Sequence, residues 1–234
     1  HGMLSILFLS GLPLLQSKNW QFSFTRISAR FLNPIFIGDD LLINYEIVGI
    51  DHEKEVQLEY HVKKAETQTV LTTGFISLRC QQLLVKNSLL AERQSFSAEN
   101  GMVMNSLVES DYEFEQISKG DERNLRMVIT QNCVFGLYEI LNKGLRDHSF
   151  DLEDWSNYNS TINLMASCVC STFVGMCIPG RNAIFLGFDL NFSTSLQWNQ
   201  IYTFNGKVSF KSPTVLSLVE SISIHEDTKP EVPV

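Results

Sequence analysis

The chain has 234 residues, which is enough for one large domain or for two domains of about 100–150 residues each. Apolar residues make up 44% of it and charged residues 19%, the composition of a globular protein with a full core. The net charge of -8 at pH 7 argues against a nucleic-acid backbone as a partner, although a local basic patch would still suit an anionic ligand.

The cysteines indicate a reducing compartment. None of the five belongs to a C-x-x-C pair and no histidine cluster lies beside them, so their spacing fits neither a disulfide framework nor a structural zinc site. We therefore expect a cytoplasmic protein without a bound metal. The five are Cys80, Cys133, Cys168, Cys170 and Cys177.

The opening stretch HGMLSILFLSGLPLLQ poses the question of a leader, a membrane anchor or a buried helix. No basic residue precedes Lys18 and no small-residue cleavage site follows, so the stretch does not fit a secretory signal. It is also shorter than the roughly 20 residues that a spanning helix needs. Because a helix over residues 1–17 would be apolar on nearly every side, we expect it to be enclosed by protein, with no membrane partner.

The following segments supply the enclosure. Three of them alternate or are rich in β-branched and aromatic residues, which predicts strands with one wet face, and they span residues 41–48, 56–63 and 69–80. Gly74 within the third segment predicts a bend or bulge. A long apolar helix followed by an antiparallel meander predicts an α+β arrangement in which the sheet curls around the helix.

The pattern recurs in the second half. A second apolar helix is predicted at 164–178, closed by Pro179 and Gly180, and strands are predicted at 183–192, 200–210 and 214–224. At an offset of 161 residues, the two halves align without a gap over residues 1–38. Identity is low, but the order of elements and the apolar pattern repeat.

Between the halves the sequence becomes polar and irregular, which predicts a connector at 86–110 after a first domain at 1–85. The second domain, 111–234, begins with DYEFEQISKGDERNLRMVIT, where we predict a strand, a turn at Gly120-Asp121 and another strand. A helix is predicted to follow Thr130. The first domain has no counterpart of this section, so we expect its N-terminal part to be missing.

Four stretches together carry a resemblance to a known family: HGMLSILFLSGL, FSFTRISARFLNPIFIGDDLLINYEI, FEQISKGDERNLRMVIT and PGRNAIFLGFDLNF. They resemble the MaoC-like (R)-specific enoyl-CoA hydratases and 3-hydroxyacyl thioester dehydratases, more closely over residues 1–80 than over 112–225. The resemblance implies a double hotdog, with two long buried central helices that are each wrapped by a curled antiparallel sheet. It also implies matching motif positions at the H-G-M start of the helix, Phe31, Pro34 and Gly38-Asp39.

The family resemblance implies catalytic positions as well. The Gly of H-G-M matches Gly2, whose N–H at a helix start would stabilise the thioester oxygen, next to His1, and the helix Ser matches Ser10. Ser10 has a second reading as a hydroxyl that bonds back to its own helix. The family's D-x-N-P-x-H loop, which moves the protons, is expected upstream of His1.

In the second half these positions are degenerate. Ile162-Asn163-Leu164 replaces H-G-M, and Asp147-His148 is not followed by the rest of the loop motif. Ser171 is retained. The resemblance implies that this half helps to form the acyl tunnel without a working site.

Substrate-binding positions follow from the same resemblance. Met3 and Phe31 would line the substrate, whereas Arg26 and Arg30 alternate along the strand after the first helix and would meet the phosphates of CoA. The alternative for the two arginines is ordinary surface charge.

Three functions are compared. The leading one is a hydratase/dehydratase that interconverts (3R)-hydroxyacyl and trans-2-enoyl thioesters of CoA or acyl carrier protein, with no cofactor besides that substrate. The second is a non-catalytic acyl-thioester-binding or scaffold protein. A hotdog thioesterase is disfavoured because neither 1–17 nor 162–178 contains an Asp or Glu. A homodimer stays open, since a double hotdog already contains the pairing that single hotdogs obtain by dimerising.

Overall fold

The computed structural model describes residue 9 and residues 20–50, 55–82, 112–128, 158–180, 184–194, 196–197 and 200–226. The chain divides into two compact units that interleave along the sequence. Unit 1 comprises His1–Phe96, Gly136–Cys168 and Leu186–Gln197, and unit 2 comprises Ser97–Phe135, Val169–Phe185 and Trp198–Val234. The division into 1–85, 86–110 and 111–234 remains a prediction about sequence order.

The described part of the chain contains eight strands and one α-helix. In chain order these are β1 (Trp20–Phe31), β2 (Leu41–Ile50), β3 (Glu55–Lys64), β4 (Val70–Gln82), β5 (Glu122–Val128), α1 (Tyr158–Met176), β6 (Gly187–Asn191), β7 (Ile201–Ser212) and β8 (Ser217–Glu226).

Unit 1 is built on one sheet with the order β2-β3-β4-β1-β6. All of its neighbouring strands run antiparallel. The strands predicted at 41–48, 56–63 and 69–80 are confirmed as β2, β3 and β4. The strand predicted at 183–192 is confirmed in its C-terminal half as β6, which pairs with β1.

The core of unit 1 lies on one face of this sheet, as the alternation in β3 predicts. Leu58, Tyr60 and Val62 are fully buried, while the intervening Gln57, Glu59 and others face the wet side. Leu9 is the one described residue of the helix predicted at 1–17, and it is fully buried in the same cluster. The enclosure expected for that stretch is therefore confirmed at this one position.

β2 forms one edge of the sheet and is less buried than its pattern suggests. Leu41 and Ile43 pack against the core, whereas Ile47 on the same face is 55% exposed. An edge strand has a neighbour on one side only, so its far side chains have less to pack against.

Gly74 does not form the predicted bulge. It pairs regularly with Tyr60, and the irregularity of β1 against β4 lies instead between Phe24 and Arg26. A Cβ atom at Gly74 would lie 2.0 Å from the carbonyl oxygen of Ser28 and 2.7 Å from the hydroxyl of Tyr60. The glycine therefore lets two neighbouring groups approach the backbone closely.

The second apolar helix, predicted at 164–178, is confirmed as α1 and begins six residues earlier, at Tyr158. Its residues up to Cys168 belong to unit 1 and those from Val169 onward belong to unit 2. Apolar side chains on several sides are buried, among them Ile162, Leu164 and Phe173. The rest of the first predicted helix, and the helix predicted after Thr130, lie outside the described residues.

Unit 2 contains a three-stranded antiparallel sheet with the order β5-β7-β8. The strands predicted at 200–210 and 214–224 are confirmed, as are the Gly120-Asp121 turn and the strand after it. The strand predicted at the start of DYEFEQ is wrong, because Phe114–Gln116 forms a 3-10 turn. Gln116 closes this turn by accepting a hydrogen bond from the backbone N–H of Glu113 at 3.2 Å.

The two hairpins β2-β3 and β7-β8 repeat one another in detail. Each has a single register shift, between Ile47 and Gly49 in the first and between Val208 and Phe210 in the second. These positions lie at the 161-residue offset found in the sequence. The repeat therefore extends beyond residues 1–38 and equates β2 with β7 and β3 with β8.

Gly74→Ala tests the close approach in the unit 1 sheet. We expect it to lower the free energy of unfolding by about 2–4 kcal/mol, because the new methyl group collides with backbone at Ser28. Chemical denaturation followed by circular dichroism measures the change. The matched control is Gly175→Ala near the end of α1, where a Cβ atom meets nothing within 4 Å and should cost no stability. Equal stabilities for the two variants would contradict the assignment.

Candidate functional site

The sequence-predicted site residues fall into two groups. His1, Gly2, Met3 and Ser10 lie outside the described residues, and their roles stay predictions. Arg26, Arg30 and Phe31 lie among the described residues of β1. Strand β1 is flanked by β4 on one side and by β6 on the other, so these three side chains are fixed by a continuous sheet.

Arg26 lies on the outer face of the sheet and is held by an ion pair. Its guanidinium donates two hydrogen bonds to the carboxylate of Asp189 on β6, with an Nε to Oδ1 distance of 2.9 Å. These hydrogen bonds lower the pKa of Asp189 below its usual range. The charge of Arg26 is therefore largely matched within the protein.

Arg30 projects from the same outer face as Arg26, two residues beyond Ser28, and is exposed. Among the described residues it has no ion pair and no side-chain hydrogen bond. An unmatched guanidinium remains free to bind an external anion. The structure therefore separates two arginines that the sequence pattern treats alike.

Phe31 points in the opposite direction, toward the core of unit 1. Its ring lies 6.3 Å from that of Phe188 on β6, tilted by 48°, and it packs against the buried cluster. Phe31 thus has a packing role, and the arginines do not share a face with it.

The Gly38-Asp39 motif forms a turn between β1 and β2. Gly38 has a φ of +94°, a conformation that glycine adopts without strain. Asp39 accepts hydrogen bonds from Lys64 at 2.6 Å and from the backbone N–H of Phe36 at 2.9 Å. The bond from Lys64, followed by that from Phe36, lowers the pKa of Asp39. The motif therefore shapes the loop and anchors it to β3.

Near the start of α1, Asn163 occupies the position that matches Gly2 in the other half. Its side chain is fully buried, donates to the carbonyl oxygen of Phe24 at 2.8 Å and accepts from the N–H of Leu196 at 3.2 Å. In the sequence Asn163 reads as a lost motif residue, and no local pattern predicts this role. Asn163 ties the helix to β1 and to the segment after β6, all within unit 1.

Two serines of α1, Ser167 and Ser171, differ from Asn163 in their surroundings. Ser167 is buried and donates back to the carbonyl oxygen of Leu164 at 2.5 Å, a bond within its own helix turn. Ser171, the match of Ser10, is half-buried. Asp147 and His148 lie outside the described residues.

None of the described cysteines with a perturbed pKa is an activated thiol. Burial raises the pKa of Cys168 to about 12 and also raises the pKa of Cys80 and of Cys177. A nucleophilic cysteine needs the opposite shift. None of the four cysteines in the described ranges forms a disulfide.

Two buried polar side chains were missed by sequence analysis. Tyr60 donates its hydroxyl to the carbonyl oxygen of Ser28 at 2.9 Å, and burial raises the pKa of Tyr60. Glu220 lies on the inner face of β8 without a hydrogen-bond partner for either carboxylate oxygen. The sequence does hint at this position, because Glu220 interrupts a row of inward-facing apolar residues that includes Leu218 and Ile222.

The described ranges contain neither a metal-binding cluster nor a membrane-spanning helix. No cluster of three or more His, Cys, Asp or Glu residues there is placed to hold a metal ion. No helix among those residues has both the length and the apolarity that crossing a bilayer requires.

Solved structures share this architecture. A MaoC domain protein dehydratase from Chloroflexus aurantiacus is similar with a TM-score of 0.62 and 14% identity, over 98% of this chain and 74% of the other. A MaoC-like dehydratase is similar with a TM-score of 0.59 and 12% identity, over 89% and 72%. A tesB protein from Mycobacterium avium subsp. paratuberculosis is similar with a TM-score of 0.52 and 7% identity, over 96% and 84%.

At these identities the similarity concerns the fold. No family model matches the sequence, and no curated protein matches it.

Asn163→Ala tests the tie at the start of α1. We expect a loss of about 2–4 kcal/mol in the free energy of unfolding, because the change leaves the Phe24 carbonyl and the Leu196 N–H buried without their partner. Thermal and chemical unfolding measure it. Ser167→Ala is the matched control, since this equally buried serine bonds only within its own helix and should cost about 1 kcal/mol or less. A harmless Asn163→Ala would contradict the role assigned to Asn163.

Proposed function

Because the chain has the hotdog-type fold of the MaoC-like dehydratases, we propose that it is a hydratase/dehydratase acting on acyl thioesters. The reaction is the reversible addition of water to a trans-2-enoyl thioester, giving the (3R)-hydroxyacyl thioester. The supporting observation is that the fold match covers 98% of the chain while the family's motif positions fall on Gly2, Ser10 and Gly38-Asp39. The thioester handle is CoA or an acyl carrier protein, and the setting is fatty-acid-type metabolism.

In this proposal the two halves have different tasks. Gly2 at a helix start offers a backbone N–H to the thioester oxygen as that oxygen gains charge, and Ser10 on the same helix completes the site beside His1. A general base removes a proton from water as the oxygen adds to carbon 3, and an acid delivers a proton to carbon 2. We assign these two proton transfers to an Asp-His pair upstream of His1.

The second half supplies binding surface and no chemistry. What supports this is Asn163, because both ends of its side chain are occupied by Phe24 and Leu196. Its buried amide is committed to holding α1 in place. We therefore propose that this half completes a double hotdog with a second central helix and helps to enclose the acyl chain.

The leading alternative is a protein that binds acyl thioesters without reacting them. A hotdog thioesterase is the second alternative, and α1 itself holds no Asp or Glu. Among the described residues the buried carboxyl beside α1 is that of Glu220. We place the protein in the cytoplasm, a reducing compartment that suits the described cysteines, none of which forms a disulfide.

The hydration assay tests the proposed function. With the full natural chain, loss of enoyl absorbance should follow the addition of a short or medium trans-2-enoyl-CoA. Ser10→Ala should slow turnover by about 10- to 100-fold without unfolding the protein, because it removes a polar group from the reacting end of the site. The matched control is Ser171→Ala, the equivalent serine of the other half, which should leave the rate unchanged.

The same experiment distinguishes the hydratase from the thioesterase and from the non-catalytic binding protein. Release of free CoA thiol in step with the loss of enoyl absorbance would identify a thioesterase, because hydration leaves the thioester bond intact. Tight binding of the substrate without either signal would identify the non-catalytic protein. A verified full-length protein with no rate above buffer would remove the hydratase proposal.

Arg30→Ala tests the proposed contact with the CoA phosphates. We expect KM for an enoyl-CoA to rise about tenfold with little change in kcat, since a surface contact to a remote phosphate binds substrate and transition state alike. The effect should shrink with added salt and vanish with a pantetheine thioester, which lacks the nucleotide. Arg79→Ala, an exposed arginine on β4, is the control. An unchanged KM for Arg30→Ala would assign Arg30 to ordinary surface charge.

A further inference from the structure

Glu220 occupies an unusual place in unit 2. On β8 it pairs with Val208 of β7, which is fully buried, so its side chain points to the inner face of the sheet. The neighbouring positions of that face belong to Phe204, Gly206 and Ile222. Glu220 is thus an acid in an otherwise apolar row.

The repeated hairpin shows what this position holds elsewhere in the chain. The shared register shift equates Val208 with Ile47, and the residue paired with Ile47 is Leu58. Leu58 is fully buried in the core of unit 1. One copy of the hairpin therefore has a leucine, and the other a glutamate, at the same inward position.

The surroundings of Glu220 leave little room. A Cβ atom added to Gly206 would lie 2.4 Å from Oε1 of Glu220 and 2.3 Å from the ring of Phe173 on α1. Both carboxylate oxygens are buried and have no hydrogen-bond partner. The carboxyl is therefore packed between a sheet backbone and an aromatic ring, where the neutral acid is far easier to accommodate than the anion.

Few charged groups face this carboxyl. Cys177 follows α1 and interacts electrostatically with Glu220, but burial keeps its thiol neutral by raising its pKa. Arg123 on β5 influences Cys177, yet its guanidinium donates to the hydroxyl of Tyr112 and to the carbonyl oxygen of Glu122. Neither of these groups donates a hydrogen bond to a carboxylate oxygen of Glu220.

We propose that Glu220 is a proton-binding site that controls the packing of unit 2. With the carboxyl protonated, the β7-β8 hairpin packs closed against Phe173. When the proton leaves, the unpartnered carboxylate favours an opened hairpin in which its oxygens reach water.

The direction of the pH dependence follows from burial. Burial raises the pKa of Glu220 from its ordinary value of 4.5 to about 7. Below about pH 4.5 both the closed and the opened forms bind the proton, and the closed form has its full stability. As pH rises from there through about 7, the opened form loses its proton first, so the closed form becomes less stable.

Hydrogen exchange in the β7-β8 hairpin of the full chain is the experiment. Between pH 5 and pH 8, after correction for intrinsic exchange, the protection of these amides should fall by up to about 70-fold, because part of the total loss expected for a pKa raised to about 7 already occurs below pH 5. In Glu220→Gln, which cannot ionise, protection should be flat over this range. In Glu220→Leu, which restores the leucine of the equivalent position, protection should be flat and higher than in the natural protein.

The control is Glu226→Gln, an exposed acid at the end of the same strand, which should keep the natural pH dependence. Equal pH dependence in the natural chain and in Glu220→Gln would overturn the proposal. So would lower protection in Glu220→Leu than in the natural chain at pH 8, since that result would reveal a stabilising partner for the carboxylate. None of these measurements needs a substrate, so their outcome is independent of the hydratase assay.

Discussion

The structure depends on enclosing α1, a helix with buried apolar side chains on several sides. Such a helix cannot present a wet face, so every direction around it must be covered by other apolar groups. In an antiparallel sheet, apolar and polar side chains can alternate strictly along each strand. Such a sheet presents a continuous apolar face to the core and a polar face to water. The row formed by Leu58, Tyr60 and Val62 is that face in unit 1, and Leu164 of α1 and Leu9 lie in the same core. The close approach at Gly74 and the register shifts in the hairpins are local adjustments within these sheets.

Within this enclosure, a few polar groups determine how the halves diverge. In one half, the position of Gly2 would offer an N–H to a thioester. In the other half the matching position is Asn163, whose side-chain amide hydrogen-bonds to the backbone of Phe24 and of Leu196. The position that carries Leu58 in one hairpin carries Glu220 in the other. The second exchange keeps the register of the hairpin and replaces an apolar side chain with an acid. A duplicated fold can thus hold a reactive site in one copy and an ionisable or structural group in the other.

Alternation and apolar periodicity were sufficient to predict most of the architecture. Local patterns that packing reinforces predict the helix α1 and five of the strands, namely β2, β3, β4, β7 and β8. The strand predicted in DYEFEQ fails because Gln116 and Glu113 satisfy each other locally, a competition that a periodicity count does not register. Gly74 was recognised as special, but its reason is a neighbouring strand that only the sheet order reveals.

The candidate site was less accessible to sequence. Arg26 and Arg30 look equivalent in β1, and the difference between them lies in Asp189, a residue 163 positions away. Asn163 reads as a lost motif until Phe24, 139 positions earlier, is placed beside it. Glu220, in contrast, stands out within its own strand, and its meaning emerges from comparison with Leu58. Pairings across such separations are set by tertiary structure and leave no local signal.

The pairing of β1 with β6 has a consequence for how the protein acquires its structure. Arg26 and Asn191 are adjacent in the sheet but far apart in the chain, so unit 1 cannot complete its sheet until most of the polypeptide exists. Closing so long a loop is entropically costly, and native contacts of this kind slow folding. During synthesis β1 therefore waits with an exposed edge while the second half emerges. The interleaving of the units makes folding of the first half a late event, even though its residues are made first.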